Sequence, residues 1–372
     1  MQCDYYDAGL CRSCTLLPIP YASQLAAKSD RARELLPAVA DWLAPVSSPQ
    51  EGFRNKAKLV VAGGTAEPTL GILGPDGTGT DLRWCALHAP ALTAALPELA
   101  GFITGASLQP YDVTARTGEL KHLLVTISPD SELMVRFVLR STEAETRIRK
   151  HLRALLAALP AVRVVSLNIQ PEHKAVLEGA REIVLTEAAE LPMRINDLTL
   201  LLRPQSFFQT NTEIAAALYR SAVAWTADLP VESVLDLYCG VGGFGLHLAS
   251  RRRRVLGVEV SAEAVESARL SAAEAGLEAR FEVGDAASQL LSETPELVVV
   301  NPPRRGIGTD LARRLSSSEV PYVLYSSCNA ESLARDLELM PTLMPVRGQI
   351  FDMFPNTEHF EVLVLLQRNG LR

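Results

Sequence analysis

Along the second half of the chain, short apolar runs alternate with segments of helical period. Ser233–Leu237, Val255–Val260, Ala279–Val283, Leu297–Val300 and Tyr322–Ser326 each read as a buried strand. The spacing between them predicts helices at Gly243–Ser250, Ala262–Ala275, Asp310–Leu315 and Ala330–Met340. Ser261 can cap the second helix, Val265, Ala268 and Ala272 share one of its faces, and Gly276 ends it. A last apolar strand covers Val362–Leu366. Such regular alternation means an α/β fold, a parallel sheet covered by helices on both faces. Ligands of such sheets bind at the carboxyl ends of the strands.

The first half is patterned differently. A helix is predicted around Ser23–Leu36, and from about Trp42 to Asn196 the pattern is α+β. Arg54–Ala62 has an apolar strand half, and Pro75-Asp76-Gly77 is a turn. Leu120–Ser128 and Glu132–Arg140 flank Pro129-Asp130-Ser131 and read as a β-hairpin. A helix at Glu143–Leu159 and a strand at Val162–Ile169 follow. The expected division is a cysteine-bearing lobe over 1–40, a central α+β domain over 41–200 and a Rossmann-like domain over 201–372.

A chain of 372 residues suits two or three domains, and 48% hydrophobic with 21% charged residues is a globular composition. Collagen-like, coiled-coil and disordered readings are excluded. No apolar run is long enough for a membrane helix, and the first residues lack a basic segment followed by an apolar one. A cytoplasmic monomer without a membrane partner is expected. The net charge of −7 removes a strongly basic footprint for nucleic acid. A local basic groove is enough for an RNA enzyme, however. Candidate clusters are Arg54, Lys56 and Lys58; Arg147, Arg149, Lys150 and Arg153; and Arg304 with Arg305. The run Arg251–Arg254 lies between a helix and the next strand, opposite the ligand end, and reads as a solvated loop.

The six cysteines are Cys3, Cys11, Cys14, Cys85, Cys239 and Cys328. In a reducing compartment close spacing points to metal or catalysis rather than disulfides. Cys11 and Cys14 are spaced to bite one metal through a tight turn. Four thiolates suit zinc or an iron–sulfur cluster, and spacing alone does not choose between them or decide whether Cys85 belongs. Incidental buried thiols beside a lone C-x-x-C are the plainer alternative.

Candidate chemistry gathers at the strand ends. Gly240 and Gly242 allow a tight turn and close approach of a ligand, and Glu259 can accept from a ribose diol. Gly240, Gly242 and Gly245 also fit G-x-G-x-x-G, so a nicotinamide-dependent dehydrogenase is a rival. The fourth strand ends in Asn301-Pro302-Pro303-Arg304, a rigid tip whose amide suits a base or a cofactor amine and favours S-adenosylmethionine. Arg304 stands where an aromatic would stack on an exocyclic-amine substrate. Cys328 precedes Asn329, a cap for the next helix, and the positive end of that helix favours thiolate. A buried inert cysteine is the alternative there. Glu361 opens the last strand with His359 two residues earlier, and either can serve as a base.

A strand-end thiolate, a base and a methyl donor suit one difficult reaction. C5 of uracil is a poor nucleophile until a thiolate adds at C6 and makes the ring an enolate. A base then removes the C5 proton so that the cysteine can leave. Enzymes acting on C5 of cytosine usually carry their cysteine in the fourth-strand loop, which is Asn-Pro-Pro-Arg in this chain.

The motifs MQCxxYDAGxCRSC, GFRNKAK, RPQSFFQTN, DLYCGVGGFGLH, NPPRRGIG, YSSCN and DMFPxTxHxE run nearly end to end. On them the chain closely resembles the bacterial RNA uracil-5-methyltransferase family, and within it the members acting on 23S rRNA. The resemblance implies a class I S-adenosylmethionine-dependent methyltransferase domain, a central RNA-binding domain and a small N-terminal iron–sulfur lobe. It implies Cys328 as nucleophile, Glu361 as base, and Gln209, Tyr238, Glu259 and Asn301 as contacts to S-adenosylmethionine. It also implies a [4Fe-4S] cluster on Cys3, Cys11, Cys14 and Cys85. The tRNA-acting relative lacks these N-terminal cysteines. The other ribosomal relative carries an OB-like domain before them, for which no room is expected here. Tyr238 stands where a Phe is frequent, and the Arg251–Arg254 run is a local departure. Two other classes compete: the dehydrogenase, which leaves Cys328 idle, and a non-catalytic, cluster-bearing RNA-binding protein.

Overall fold

The computed structural model describes residues 1–74, 76–174, 176–289 and 295–371. The chain divides into two compact units, one of 1–13, 50–193 and 203–205, the other of 14–49, 194–202 and 206–372.

The first unit is built on a seven-stranded sheet in the order Gly79–Asp81, Pro68–Leu73, Lys56–Gly63, Leu120–Ile127, Leu133–Leu139, Val162–Ile169, Arg181–Val184. Every neighbouring pair is antiparallel except Leu133–Leu139 with Val162–Ile169. That parallel pair needs a crossover, and the helix Glu145–Ala158 supplies it. The predicted hairpin forms with Ser131 in the left-handed region at φ 65°, its N–H donating to the Ser128 carbonyl at 2.9 Å. Pro75 of the predicted turn lies outside the described residues. Alternation along Lys56–Gly63 sends Ala57, Leu59 and Val61 into a core shared with the helices Pro90–Gly105 and Glu145–Ala158. Arg54, Lys56 and Lys58 stand at the alternate positions, so they share the opposite face.

The second unit contains an eight-stranded sheet in the order Asp41–Trp42, Leu343–Phe351, Glu361–Arg368, Tyr322–Ser327, Leu297–Val300, Ser233–Leu237, Arg254–Glu259, Ala279–Val283. Val298, Val300, Val323 and Val364 are fully buried, as expected of central strands covered on both faces. Glu361–Arg368 runs antiparallel to both neighbours, Tyr322–Ser327 and Leu343–Phe351. This reversed strand distinguishes the sheet from the all-parallel dinucleotide-binding order. Helix boundaries shift slightly from expectation: Gly243–Leu248, Gly308–Ser317 and Ala330–Glu338 are observed.

Two findings revise the expected organisation. Residues 14–49 group with the eight-stranded sheet rather than with a separate lobe. Their helix Tyr21–Leu35 buries Lys28 and Ala32, and Asp41–Trp42 extends the sheet beside Leu343–Phe351. The Arg251–Arg254 run is not uniformly solvated: the Arg253 guanidinium donates to the Val231 carbonyl at 3.2 Å, to Thr226 Oγ1 at 3.1 Å and to the Thr226 carbonyl. It ties down the end of the helix Thr212–Thr226 and is a structural clasp.

Candidate active site

The carboxyl ends of the strands in the second unit enclose a cavity of about 610 Å³. Gln209, Tyr238, Glu259, Asn301, Cys328 and Glu361, drawn from six separate segments, all line it.

The glycine loop forms its floor. Tyr238 at φ 62°, Gly240 at φ 53° and Gly242 at φ 83° take left-handed conformations and turn the chain directly into the helix Gly243–Leu248. A β-carbon at Gly243 would stand 2.3 Å from the Tyr219 hydroxyl, so side-chain packing demands glycine at that position. Glu259 accepts from the N–H groups of Gly240 at 3.2 Å and Ser261 at 3.0 Å, which fixes its carboxylate at the loop. Beneath the loop Asp236 is fully buried and accepts from the Gly245 N–H at 2.8 Å. Burial, with Glu259 nearby, pushes its carboxyl up to about 7.

The proline loop is latched from below. The buried Asp336 carboxylate accepts from the Tyr325 hydroxyl at 2.7 Å and from the Ile307 N–H at 2.9 Å. Asn329 caps its helix by accepting from the Glu331 N–H at 3.1 Å, and its amide donates to the Arg304 carbonyl at 3.1 Å. One residue thus orders both the helix beside Cys328 and the loop carrying Asn301.

Cys328 is partly buried. The helix N-terminus was expected to favour its thiolate, but the thiol is pushed up from its ordinary value. Burial is the largest cause and Glu361 adds to it, while Arg304 opposes both through its charge and a hydrogen bond. Glu361 is 1% exposed and accepts from Ser326 Oγ at 2.6 Å. Burial raises its carboxyl to about 7, partly offset by the Ser326 hydrogen bond. His359, the rival base, is exposed and does not line this cavity. Its ring lies 2.9 Å from the Arg304 guanidinium, and burial together with that cation lowers its pKa. The near-equivalence that two-residue spacing suggested for Glu361 and His359 is absent.

Two lining residues went unremarked in the sequence. Phe207 is 66% exposed while its neighbour Phe208 is buried, so the first ring of RPQSFFQTN is offered to the cavity and the second anchors it. Tyr219 is buried against His247 and Phe244, with ring centroids at 4.7 and 5.0 Å. The adjacent Phe pair was a readable signal for the first; nothing local marked the second.

In the first unit Cys85 is pushed up mainly by burial, with Cys11 and Cys3 close enough to add to the effect. All six cysteines are free. Among the described residues no group of three or more His, Cys, Asp or Glu closes into the geometry of a metal site. None of the helices among them is long and apolar enough to cross a membrane.

An α/β sheet with one reversed strand, whose glycine loop, ribose-ready carboxylate and proline-rich tip face a single cavity, defines a class I S-adenosylmethionine-dependent methyltransferase. The family model "Methyltransferase small domain" matches residues 197–316, and "tRNA (Uracil-5-)-methyltransferase" matches residues 286–369. The chain is 49% identical to the 23S rRNA (uracil(747)-C(5))-methyltransferase RlmC of Shewanella amazonensis, over all of this chain and 98% of that protein. It is 48% identical to the protein of the same name from Escherichia coli O157:H7, over 98% of this chain and 99% of that one. The chain therefore belongs to the RlmC family of 23S rRNA (uracil-C5)-methyltransferases. A solved structure of Pyrococcus abyssi tRNA (uracil-54, C5)-methyltransferase, in complex with S-adenosyl-L-homocysteine, is 26% identical. It superimposes with a TM-score of 0.80 over 96% of this chain and 84% of that one.

Proposed function

We propose that this chain transfers the methyl group of S-adenosylmethionine to C5 of one uridine of 23S rRNA, the position numbered 747 in its relatives' names, through a covalent adduct on Cys328. The observation that carries this reading is the shared cavity: Cys328 and Glu361 line it together with the four residues assigned to the cofactor. Glu259 receives the ribose hydroxyls, Tyr238 and Asn301 flank the adenosine, and Gln209 closes the methionine side. Phe207 offers a ring face on which a base can stack, the platform that Asn-Pro-Pro-Arg itself lacks.

The Cys328 thiolate adds at C6 of uracil, and the electron pair of the C5=C6 bond moves toward O4 as an enolate. C5 then attacks the methyl carbon; the carbon–sulfur bond of the sulfonium breaks and S-adenosylhomocysteine is released. Glu361 takes the C5 proton, the C5=C6 bond re-forms and the thiolate leaves. Arg304 favours the thiolate that burial opposes. A carboxyl held near 7 accepts a proton in the last step and gives it up to solvent afterwards.

The test is where the reaction stops. With rRNA from a strain lacking the enzyme, Glu361→Gln is expected to accumulate a methylated protein–RNA adduct stable to denaturing electrophoresis, and Cys328→Ala none. Normal 5-methyluridine formation by Cys328→Ala overturns the reading and favours a non-catalytic RNA-binding protein. Adduct trapping by His359→Ala, with normal turnover in Glu361→Gln, moves the base to His359.

We assign the first unit to RNA binding, with Arg54, Lys56 and Lys58 as phosphate contacts on their common face. Lys56 is held down to about 8, mainly by burial and then by Arg136, and an arriving phosphate would favour its charged form. The motif MQCxxYDAGxCRSC supports a [4Fe-4S] cluster on Cys3, Cys11, Cys14 and Cys85, with the proximity of Cys3, Cys11 and Cys85 in keeping with that donor set. Such a cluster would have a structural role, since methyl transfer from this donor needs no electron. Protein purified without oxygen is expected to be brown with about four irons; colourless protein with stoichiometric zinc overturns the assignment. A 23S rRNA substrate supports a cytoplasmic location.

A further inference from the structure

A second cavity, of about 560 Å³, shares part of its lining with the first. Cys328 and Arg304 line both this cavity and the cofactor cavity, so these two residues form the wall between them. Its far side is the helix Tyr21–Leu35, which presents Lys28 and Arg31. None of the chemistry assigned above uses this helix.

Lys28 is 3% exposed. Its ammonium donates to Asp352 Oδ1 at 2.6 Å and to the Phe354 carbonyl at 3.1 Å. An ammonium has three N–H donors, and no third partner is present among the described residues. A buried donor without an acceptor is costly, which favours an oxygen arriving from the cavity. Arg31 is half-exposed and paired with Glu331 at 2.7 Å, a contact weak enough to be exchanged. Leu35 and Phe360 add apolar surface to the same lining.

A uracil whose C6 meets Cys328 and whose C5 faces the cofactor remains attached to a chain on both sides. One strand has to pass the Arg304–Cys328 wall. We propose that the second cavity holds the nucleotide next to the target uridine, its phosphate bound by Arg31 and the third N–H of Lys28. The helix Tyr21–Leu35 is then an RNA-reading element of the methyltransferase unit. This rests on the uracil-methylating reading above.

The test uses the full-length enzyme and a 23S rRNA hairpin containing the target uridine. Arg31→Ala is expected to weaken RNA binding about five- to tenfold and to make its salt dependence shallower by about one ion, with S-adenosylmethionine affinity unchanged. Glu331→Ala breaks the same ion pair but removes a competing anion, so it is expected to tighten RNA binding. Replacing one of the two phosphates flanking the uridine by a neutral methylphosphonate is expected to abolish the effect of Arg31→Ala. If Arg31→Ala and Glu331→Ala weaken binding alike, Arg31 only docks its helix and the proposal fails. It fails also if neither methylphosphonate cancels the Arg31 effect while the wild-type enzyme methylates the hairpin. A wild-type enzyme that binds the hairpin without methylating it overturns the functional reading, and this inference with it.

Discussion

Replacing Glu361 by Gln removes a carboxyl that the fold holds where ionisation is unfavourable. The side chain is 1% exposed and its pKa stands near 7 against an ordinary 4.5. In the folded state the proton is therefore held more tightly than in the unfolded chain. Below pH 4.5 both states are protonated and the group contributes nothing to pH dependence. Between 4.5 and about 7 the unfolded chain ionises while the folded one keeps its proton, and stability falls as pH rises. Above 7 the loss is complete. At about 1.36 kcal/mol for each pH unit of difference, it amounts to about 3 kcal/mol. Gln keeps the shape and can still accept from Ser326 Oγ, now at 2.6 Å from Glu361, but carries no charge. Glu361→Gln is thus expected to be the more stable protein by about 3 kcal/mol at pH 8 and by about 1 kcal/mol or less at pH 5. Urea unfolding of both proteins at the two pH values measures this directly. A stability difference independent of pH, or a less stable variant at pH 8, would falsify the account of Glu361 as a strained carboxyl. On the proposed mechanism the same substitution would also remove the last chemical step, so stability gained and turnover lost would share one cause.

Three further outcomes follow from the site. The rate with RNA is expected to rise with pH through about 7 as Glu361 ionises, and further as the raised Cys328 thiol ionises; a flat profile from pH 6 to 9 contradicts both assignments. Adduct formation by Glu361→Gln should lose the limb near 7 and keep the thiol limb, read as covalent complex against pH. Asp336→Ala leaves the Tyr325 hydroxyl and the Ile307 N–H without their acceptor, and is expected to cost about 3 kcal/mol and to weaken S-adenosylmethionine binding as the proline loop is released; calorimetry that finds the cofactor affinity unchanged refutes the latch.

Much of this protein was legible in its one-dimensional pattern. Strand–helix alternation after Val231 determines a parallel sheet because period-two and period-3.6 burial are local properties of the backbone. Ser261 and Asn329 cap the helices they precede, accepting from Ala264 N–H at 3.3 Å and Glu331 N–H at 3.1 Å, because capping involves only neighbours in sequence. The family motifs are contiguous words, so Cys328, Glu361 and the glycine loop could be singled out without coordinates.

What the chain's pattern left undecided depends on groups far apart in sequence. The join of the helix Tyr21–Leu35 to the methyltransferase unit runs through Lys28 and Asp352, 324 residues apart, and no window of sequence contains both. The contrast between buried Glu361 and exposed His359 is set by tertiary packing that their two-residue spacing does not reveal. The state of Cys328 was not legible from its helix alone, because desolvation and Glu361, which only the fold brings to it, push the thiol up against the opposing Arg304. Local order follows from the backbone and its immediate neighbours; proton affinities follow from the charges and solvent that only the folded chain brings together or shuts out.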